Sequence, residues 1–372
     1  MNMRHRRAVG GIKVTPNDLM QRIDRLPRQR LGFFPTPLHH LKRLSAQTGV
    51  QIYLKREDLS GPGPFGGNKM RKLEFVLGQA VQEGVEYLVT YGAHQSNSAM
   101  QMTTAANACG LKSVLFLGDS KGEGAPQTLE ANLLLDHLLG AEVHFVDKPK
   151  PKDALDLTAM WNRLIDLSWQ KVRQLEEEGH KALFVPLGAA HPYGYVSDVR
   201  NYLEIHQQCA GLGFAPDYIC HSNSSGGTLP GLIAAKLMLG DKHTQLYSFN
   251  IRSWAPGNVV TRATCVDRVR AIYDRLQMPF PGDDKVLAAM HIEEGYMAPG
   301  YAMPNPQAQR TIARVMQLEG VLLDPTYTGK GFTGLLDYID KQKIPAGSRV
   351  VFIHSGGVLG LFSGGSALEG LV

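Results

Sequence analysis

The sequence predicts an α/β fold with mostly parallel sheets, and three observations support this prediction. Short apolar runs alternate along the chain with longer segments of helical periodicity, an order that is typical of parallel strands joined by helices. Several of the short runs are almost continuously apolar, as expected for strands buried on both faces. The length of 372 residues exceeds what one small core needs and indicates two domains.

Eight apolar runs are predicted to be strands and seven periodic segments to be helices. The predicted strands are 51–55, 87–92, 113–118, 142–146, 182–186, 217–222, 245–251 and 349–354. The predicted helices are 69–82, 96–109, 126–139, 153–179, 195–210, 228–239 and 304–319. The stretch DKPKPKD, residues 147–153, is a charged connection interrupted by prolines. Because ligands of parallel sheets bind at the carboxyl ends of strands, the chemistry is expected in the loops after the strands.

Composition and charge exclude several classes of protein. The apolar fraction of 43% is ordinary for a soluble globular chain, and no apolar run is long enough to span a membrane. The net charge of the chain is only +5, and its basic residues are scattered along the sequence. Both observations argue against a nucleic-acid partner. The basic residues 1–14 lack the apolar core of a secretory signal, and we interpret them as a disordered tail rather than a transit peptide. Widely spaced cysteines indicate free thiols in the reducing cytoplasm: Cys109, Cys209, Cys220 and Cys265.

Lys69 stands at an unusual place in the stretch GPFGGNKMRKLEF, residues 63–75. Two glycines and an asparagine lead directly to this lysine, and a helical pattern begins at once after it. Lysines usually lie on the solvated faces of helices, whereas this one is presented on a bend. The position makes Lys69 a candidate for a chemical role.

Two loops after predicted strands carry groups that suit anions. Ser96 and Asn97 open a helix, where they act as caps in the simplest interpretation, although the free N–H groups there could also hold a carboxylate. A second loop combines glycines with hydroxyl groups before an apolar helix, which suits a phosphate, but an ordinary glycine–serine turn explains it equally well. Its residues are Ser224, Ser225, Gly226, Gly227 and Thr228.

Hydroxyl groups also occur in the last third of the chain. Tyr301, Tyr327 and Thr328 lie in predicted polar turns, and Ser355 follows the last predicted strand. Two tyrosines on turns prove little alone, because tyrosine is common at surfaces. The sequence lacks HExxH, Cys/His ligand spacing and GxSxG, so no metal site and no nucleophile-elbow hydrolase is expected.

Taken together, these groups suit pyridoxal 5'-phosphate (PLP). This cofactor offers an aldehyde to a lysine, a phosphate to the glycine–serine loop and a ring nitrogen to a hydroxyl group, while the carboxylate of an amino-acid substrate suits the helix start. A free lysine has a pKa of about 10.4 and is a poor nucleophile while protonated. Bound to the aldehyde as a Schiff base, it is stored in activated form.

The chain resembles the family of D-cysteine desulfhydrases and 1-aminocyclopropane-1-carboxylate (ACC) deaminases. These PLP enzymes have the tryptophan-synthase-β-like fold, called fold type II, which implies two three-layer α/β/α domains. The motifs LKREDL, GGNKMRKLEF, QSN, DPTYTGK and IHSGG follow in the family's order, and the resemblance extends from residue 35 to residue 357. A set of linked motifs is far more specific than any one of them.

The resemblance implies a role for each matching residue. Lys69 is the Schiff-base lysine and the base that takes the Cα proton, and Lys72 helps to hold the phosphate in the cup formed by residues 224–228. Asn97 contacts the cofactor ring oxygen and Ser96 contacts the substrate. Tyr301 and Tyr327 orient the ring or exchange protons with the substrate. Thr328 and Ser355 are the hydroxyl groups near the ring nitrogen.

Two features bear on the substrate. Thr328 and Ser355 are hydroxyl residues, as in the desulfhydrase-like branch, whereas ACC deaminases have glutamate and leucine there. A hydroxyl group facing the ring nitrogen favours elimination over ring opening. The chain departs from the family at Ser98 and Met100, where a histidine or glutamine and an arginine are usual, and in GYAMP, where GYGVP is usual. These departures lie beside the expected carboxylate site and argue for a small amino acid other than D-cysteine itself.

The predicted function is that of a PLP-dependent lyase that eliminates sulfide from D-cysteine or an analogue. The alternatives are ACC deamination, L-cysteate sulfo-lysis, another β-elimination or β-replacement or racemisation on this scaffold, and a protein that binds PLP or an amino acid without catalysis. The resemblance implies a large PLP-binding domain, residues 1–71 and 181–372, and a small mobile domain, residues 72–180. It also implies a homodimer.

Overall fold

The computed structural model describes residues 14–61, 66–119, 125–146, 158–251 and 261–363. The basic tail and the connection 147–153 therefore lie outside the described residues, except for Val14. The helices are α1 Pro16–Asp24, α2 Lys42–Thr48, α3 Lys69–Gln82, α4 Asn97–Ala108, α5 Ala131–Leu138, α6 Thr158–Glu177, α7 Ser197–Gly211, α8 Leu229–Leu239, α9 Arg262–Arg275, α10 Asp283–Ala288, α11 Pro306–Glu319 and α12 Thr328–Asp340. The strands are β1 Leu38–His40, β2 Gln51–Lys55, β3 Tyr87–Ala93, β4 Lys112–Gly118, β5 Glu142–Val146, β6 Ala182–Phe184, β7 Tyr218–Asn223, β8 Gln245–Asn250, β9 His291–Glu293 and β10 Arg349–Ile353.

These strands form two sheets that are almost entirely parallel. The larger sheet has the order β1-β2-β10-β7-β8-β9, and only its edge pair β1–β2 is antiparallel among the described strands. The smaller sheet has the order β5-β4-β3-β6 and is parallel throughout. The predicted α/β fold with mostly parallel sheets is confirmed.

Helices cover both faces of each sheet. Neighbouring residues of a strand point to opposite faces, so Ile219 of β7 packs in a core with α7, α8 and α9, and Cys220 packs in another with α2, α11 and α12. In the smaller sheet, Leu115 of β4 faces a core with α3, α4 and α5, and Phe116 faces a core with α6. The fold therefore consists of two three-layer units, as the resemblance implied.

All eight predicted strands are present, and two further strands are not in the prediction. The bounds of β2, β5 and α3 agree with the prediction residue for residue. β1 and β9 have three residues each, which is too short to show a periodicity in the sequence. The helix predicted from residue 126 begins only at Ala131. β6 begins at Ala182, just after the expected end of the small domain at residue 180, and pairs with β3 in the smaller sheet.

The prediction that Thr328 lies in a polar turn is wrong, because α12 begins at this residue and continues to Asp340. The glycines of this segment suggested a turn, because glycine disfavours helices by about 1 kcal/mol. In the fold these glycines let α12 approach its neighbours closely. A Cβ atom at Gly329 would lie 2.7 Å from the carbonyl oxygen of Asp324, and one at Gly331 would collide with Ser222 of β7. Close packing against the sheet therefore outweighs the low helix propensity.

A buried ion cluster connects α3 to the larger sheet. The guanidinium of Arg71 donates to both oxygens of Glu57 at 2.8 and 2.9 Å and to both oxygens of Glu204 at 2.9 and 3.0 Å. Lys55 of β2 donates to Glu204 at 3.1 Å. Burial would lower the pKa of Arg71, but Glu57 and Glu204 raise it well above its ordinary value. The cluster thus pairs the cations of Arg71 and Lys55 with the carboxylates of Glu57 and Glu204, and all four carboxylate oxygens accept hydrogen bonds.

We predict that Arg71→Met lowers the free energy of unfolding by about 3–5 kcal/mol, because two carboxylates would remain buried without a guanidinium partner. Chemical denaturation of the purified protein measures this change. The matched control is Arg270→Met, which removes an exposed arginine paired with Asp283 at 2.6 Å and should cost about 0–1 kcal/mol. Equal losses in the two variants would contradict the prediction.

Candidate active site

The first turn of α3 lies against the loop that follows β10. Gly67 and Gly356 form an isolated antiparallel bridge, and the N–H of Asn68 donates to the carbonyl of Ser355 at 3.1 Å. The N–H of Met70 donates to the side-chain oxygen of Gln101 on α4 at 3.2 Å. Lys69 therefore sits where the carboxyl end of the larger sheet meets α4 of the smaller unit, as expected for a ligand site in parallel sheets.

The electrostatic surroundings of Lys69 make its amine reactive near neutral pH. Burial lowers its pKa to about 7, and the charge of Lys72 acts in the same direction, while Asp324 and Asp198 oppose the shift. Lys69 is half-buried as a residue. A substantial fraction of the amine is therefore neutral at pH 7, which a lysine with a pKa of about 10.4 is not.

Lys72 points at the glycine–serine loop that precedes α8. Its side chain is only 1% exposed, and its amine lies 3.4 Å from the hydroxyl oxygen of Thr228 and 3.9 Å from Asp198. Asn68 also donates to the hydroxyl of Thr228, at 3.3 Å. A Cβ atom at Gly227 would lie 2.7 Å from the amine of Lys72, so a side chain there would obstruct the approach. The structure thus brings Lys72 to Gly227 and Thr228 of the loop, and the role of these residues as a phosphate cup stays a prediction.

Arg268 is a second cation at this loop, and sequence reasoning missed it. Its guanidinium donates to the carbonyl of Ser225 at 2.7 Å. Burial is the main cause that lowers the pKa of Lys72, but the charge of Arg268 contributes to the same shift. Arg268 lies 40 residues beyond the loop on α9, in a segment without any motif, so nothing in the sequence indicated it. Two positive charges at one helix start favour a doubly charged anion.

Tyr301 and Tyr327 come together although 25 residues separate them in the sequence. Their hydroxyl oxygens are 2.5 Å apart, and their rings meet edge to face with centroids 6.1 Å apart. The amine of Lys69 lies 5.7 Å from the centroid of the Tyr327 ring. A pair of hydroxyl groups in hydrogen-bond contact next to a lysine with a lowered pKa is suited to proton transfer.

Asp324 shapes the turn that carries Tyr327. Its carboxylate accepts the N–H groups of Tyr327 at 2.7 Å and of Thr328 at 2.6 Å. The hydroxyl of Thr328 donates to the same carboxylate at 2.7 Å and accepts the N–H of Asp324 at 2.8 Å. Thr328 thus helps to build this turn, and its contact with a cofactor ring stays a prediction. The same holds for the half-buried Ser355 at the end of β10.

The start of α4 is a capped helix terminus. The hydroxyl of Ser96 accepts the N–H of Ala99 at 3.2 Å, so the capping interpretation of this residue is confirmed. The side-chain oxygen of Asn97 accepts a hydrogen bond from Asn132 of α5 at 2.9 Å. Both residues are buried, and their predicted contacts with substrate and cofactor stay predictions.

The assembled residues fit PLP. A buried lysine amine with a lowered pKa suits an aldehyde. The cup offers Lys72, Arg268 and a helix start to a phosphate, and Gly226 has a φ of +67°, which glycine adopts without strain. The long contacts of Lys72, none shorter than 3.4 Å to a described residue, leave its N–H groups available for a bound anion.

The chain belongs to the family of pyridoxal-phosphate-dependent enzymes, whose family model matches residues 29–356. Among its relatives, the D-cysteine desulfhydrase of Salmonella paratyphi C (strain RKS4594) is 34% identical over 92% of this chain and 98% of its own length. The D-cysteine desulfhydrase of Klebsiella pneumoniae (strain 342) is 32% identical over the same shares. A solved structure of a protein described as an ACC deaminase homologue superposes with a TM-score of 0.81 at 30% identity, covering 95% of this chain and 99% of that chain. The cofactor of the family is therefore the one that the sequence predicted.

Two features are absent from the part of the chain that the structure describes. Among the described residues, no helix has the length and apolar character needed to cross a bilayer. In the same ranges, no three or more histidine, cysteine, aspartate or glutamate side chains come together in a way that could hold a metal ion.

We predict that the amine of Lys69 in the cofactor-free protein reacts with acetic anhydride with a pH midpoint near 7, since only the neutral amine is nucleophilic. Mass spectrometry of the acetylated peptides across a pH series measures this midpoint. The peptides of exposed lysines serve as the internal reference, with reactivity rising towards a pKa of about 10.4. A midpoint of Lys69 near that reference would refute the assigned electrostatic environment.

We further predict that Arg268→Met weakens the binding of PLP about tenfold or more and changes the binding of pyridoxal, which lacks the phosphate, by less than about twofold. Absorbance titration of the cofactor-free protein measures both affinities. Arg270→Met, an exposed arginine on the same helix, should leave both unchanged. An equal loss for PLP and pyridoxal would show that Arg268 does not act on the phosphate.

Proposed function

We propose that the protein is a lyase that eliminates the β-substituent of a small amino acid, with D-cysteine or a close analogue as substrate. The observation that carries the proposal is the position of the Lys69 amine, with a pKa of about 7, between a phosphate-type cup and a pair of tyrosine hydroxyls. The two desulfhydrase relatives support the substrate class. The proposed net reaction converts D-cysteine and water into pyruvate, ammonia and hydrogen sulfide.

Each residue of the site has its own proposed role in this reaction. When bound, PLP supplies an electron-withdrawing ring that accepts the electron pair left at the substrate Cα. Lys69, neutral in part at pH 7, takes the proton from Cα. Lys72 and Arg268 hold the phosphate group, which fixes the position of the ring relative to Lys69. The hydroxyl pair of Tyr301 and Tyr327 is placed to give a proton to the leaving sulfur.

The carboxylate of the substrate is proposed to bind at the start of α4. The hydroxyl of Ser96 already accepts the N–H of Ala99, which leaves the N–H groups of Asn97 and Ser98 as donors there. Met100, which replaces the arginine usual in the family, is only 1% exposed and carries no charge. A substrate with a single acid group and a neutral β-substituent suits this site better than one with a second acid group.

ACC deamination is the second candidate, and the similarity to the ACC deaminase homologue favours it. Against it stand Thr328 and Ser355, which are hydroxyl residues. L-cysteate sulfo-lysis, β-replacement and non-catalytic binding of an amino acid are the further outcomes that a substrate panel separates.

We also propose the domain movement, quaternary structure and location that the resemblance implies. The small unit would close over the site to exclude water, and the pairing of β6 extends it from residues 72–180 to about residue 184. The four free cysteines support a reducing compartment such as the cytoplasm. The homodimer rests on resemblance alone. Sedimentation velocity on the purified protein tests the dimer, and a monomer at micromolar concentration would refute it.

We predict that the PLP-loaded protein releases equal amounts of sulfide and pyruvate from D-cysteine, and that Lys69→Ala lowers this rate by at least about 10²-fold. Sulfide and keto-acid assays over a panel of D-cysteine, L-cysteine, L-cysteate and ACC measure the activity. α-Ketobutyrate from ACC without sulfide from D-cysteine would establish the second candidate.

Borohydride reduction followed by peptide mapping supplies an independent check. The cofactor mass should be found on the peptide that contains Lys69 and be absent from that peptide in Lys69→Ala. Trapping at another lysine would overturn the site assignment whatever the substrate proves to be.

A further inference from the structure

Tyr301 lies in a segment without regular secondary structure. Residues 294–304, between β9 and α11, contain no helix or strand, and none of them is buried. Yet the hydroxyl of Tyr301 must stay 2.5 Å from that of Tyr327 for the pair to exist. Exposed segments without regular structure open locally at low free energy. Some contact near Tyr301 has to offset this tendency.

The side chain of Lys330 provides such a contact. It is only 1% exposed, and its amine donates to the carbonyl of Gly300 at 2.7 Å and to that of Met297 at 3.3 Å. These two carbonyls lie at the ends of the four residues immediately before Tyr301. Burial lowers the pKa of Lys330 to about 8, and Asp324 opposes the shift. The amine is therefore still mostly protonated at pH 7 and able to donate.

Lys330 also belongs to the element that carries the other tyrosine. It is the third residue of α12, whose first residue, Thr328, directly follows Tyr327. The turn before this helix is fixed by the carboxylate of Asp324. One rigid helix start thus presents Tyr327 directly and holds the segment of Tyr301 through Lys330.

Other contacts also hold the segment, among them the packing of the Tyr296 ring against Phe249 and two hydrogen bonds. The hydroxyl of Tyr296 donates to Asp337 at 2.5 Å, and the side chain of Asn305 donates to the carbonyl of Ala298 at 2.7 Å. Tyr296 and Asn305 lie five and four residues from Tyr301, near the two ends of the segment. They limit where the segment runs, whereas Lys330 binds the carbonyl of the residue adjacent to Tyr301.

We propose that Lys330 is a positioning residue that holds Tyr301 against Tyr327 and thereby sets the geometry of the hydroxyl pair. Its kinetic consequences rest on the proposed function, but its effect on the segment does not. A lysine that only stabilised the fold would affect catalysis whether or not the hydroxyl of Tyr301 is present. Lys330, in contrast, should affect catalysis only through Tyr301.

The test compares Lys330→Met with a chemically matched control. Lys236 of α8 also donates to two carbonyls, those of Asp241 at 2.6 Å and Thr244 at 2.7 Å, but far along the chain from the tyrosine segment. Hydrogen exchange of the full-length protein should be at least about tenfold faster in residues 294–304 for Lys330→Met and unchanged there for Lys236→Met. Lys330→Arg keeps the charge and the hydrogen-bond donors, so it should restore part of the protection of residues 294–304 from exchange. This variant replaces Lys330→Met in the comparison if Lys330→Met folds poorly.

The kinetic test is a double-mutant cycle with D-cysteine as the probe. Lys330→Met should lower kcat about 10- to 100-fold with a smaller change in KM, and Lys236→Met should leave both unchanged. Adding Lys330→Met to Tyr301→Phe should lower kcat by less than about threefold further, because the hydroxyl that Lys330 positions is already gone.

Two results would overturn the proposal. One is unchanged exchange in residues 294–304 of the Lys330→Met variant. The other is a double variant in which the decrease in kcat equals the product of the decreases caused by Lys330→Met and by Tyr301→Phe. That result would mean that Lys330 acts independently of Tyr301. If the wild-type protein converts none of the panel, the proposed function fails, while the exchange comparison still decides whether Lys330 holds the segment.

Discussion

A buried cluster of charges at the start of α3 is the constraint on which the candidate active site depends. Arg71 lies between Lys69 and Lys72 along one helical turn, and its guanidinium is held by Glu57 and Glu204 of the larger unit. Such a cluster adds little net stability over apolar packing, because desolvation costs nearly as much as the ion pairs return. Its value here is geometric. A guanidinium bound on two sides cannot rotate or shift along its axis, so the lysines before and after it are fixed in direction.

The site collects cations on one side and hydroxyl groups on the other. Lys72 and Arg268 converge on the loop before α8, while Tyr301 and Tyr327 meet beyond Lys69. The loss of solvent, together with the smaller effect of the nearby charge of Lys72, lowers the pKa of Lys69 and favours its neutral amine. The same arrangement that attracts an anionic cofactor therefore prepares the amine that reacts with it. Lys72 thus contributes both to the proposed attraction of the phosphate and to the activation of the amine, although burial contributes more to the activation.

The helix α12 shows how the fold uses residues that disfavour regular structure. Its glycines lower the intrinsic stability of a helix, and they are also what allows it to lie against β7 and the Asp324 turn. That close approach places Tyr327 and Lys330 at the edge of the site. Packing thus offsets the low helix propensity of the glycines. The start of α12 is fixed in position, and it carries Tyr327 directly and holds Tyr301 through Lys330.

The sequence alone determined the class of fold and the cofactor, and it indicated most residues of the candidate site. Apolar runs identified every strand of five or more residues. Several of these strands are buried on both faces and therefore need apolar residues at nearly every position. Lys69 and the glycine–serine loop were recognised because each role requires a particular local pattern. Arg268 escaped notice because it acts across the fold from a segment without a motif. Asp324 and Lys330 belong to the motif DPTYTGK, but the sequence did not show which groups their side chains contact. The meeting of Tyr301 with Tyr327 and the glycine-bearing helix α12 were likewise decided only by tertiary structure, because close packing and long-range hydrogen bonds outweigh local propensity there.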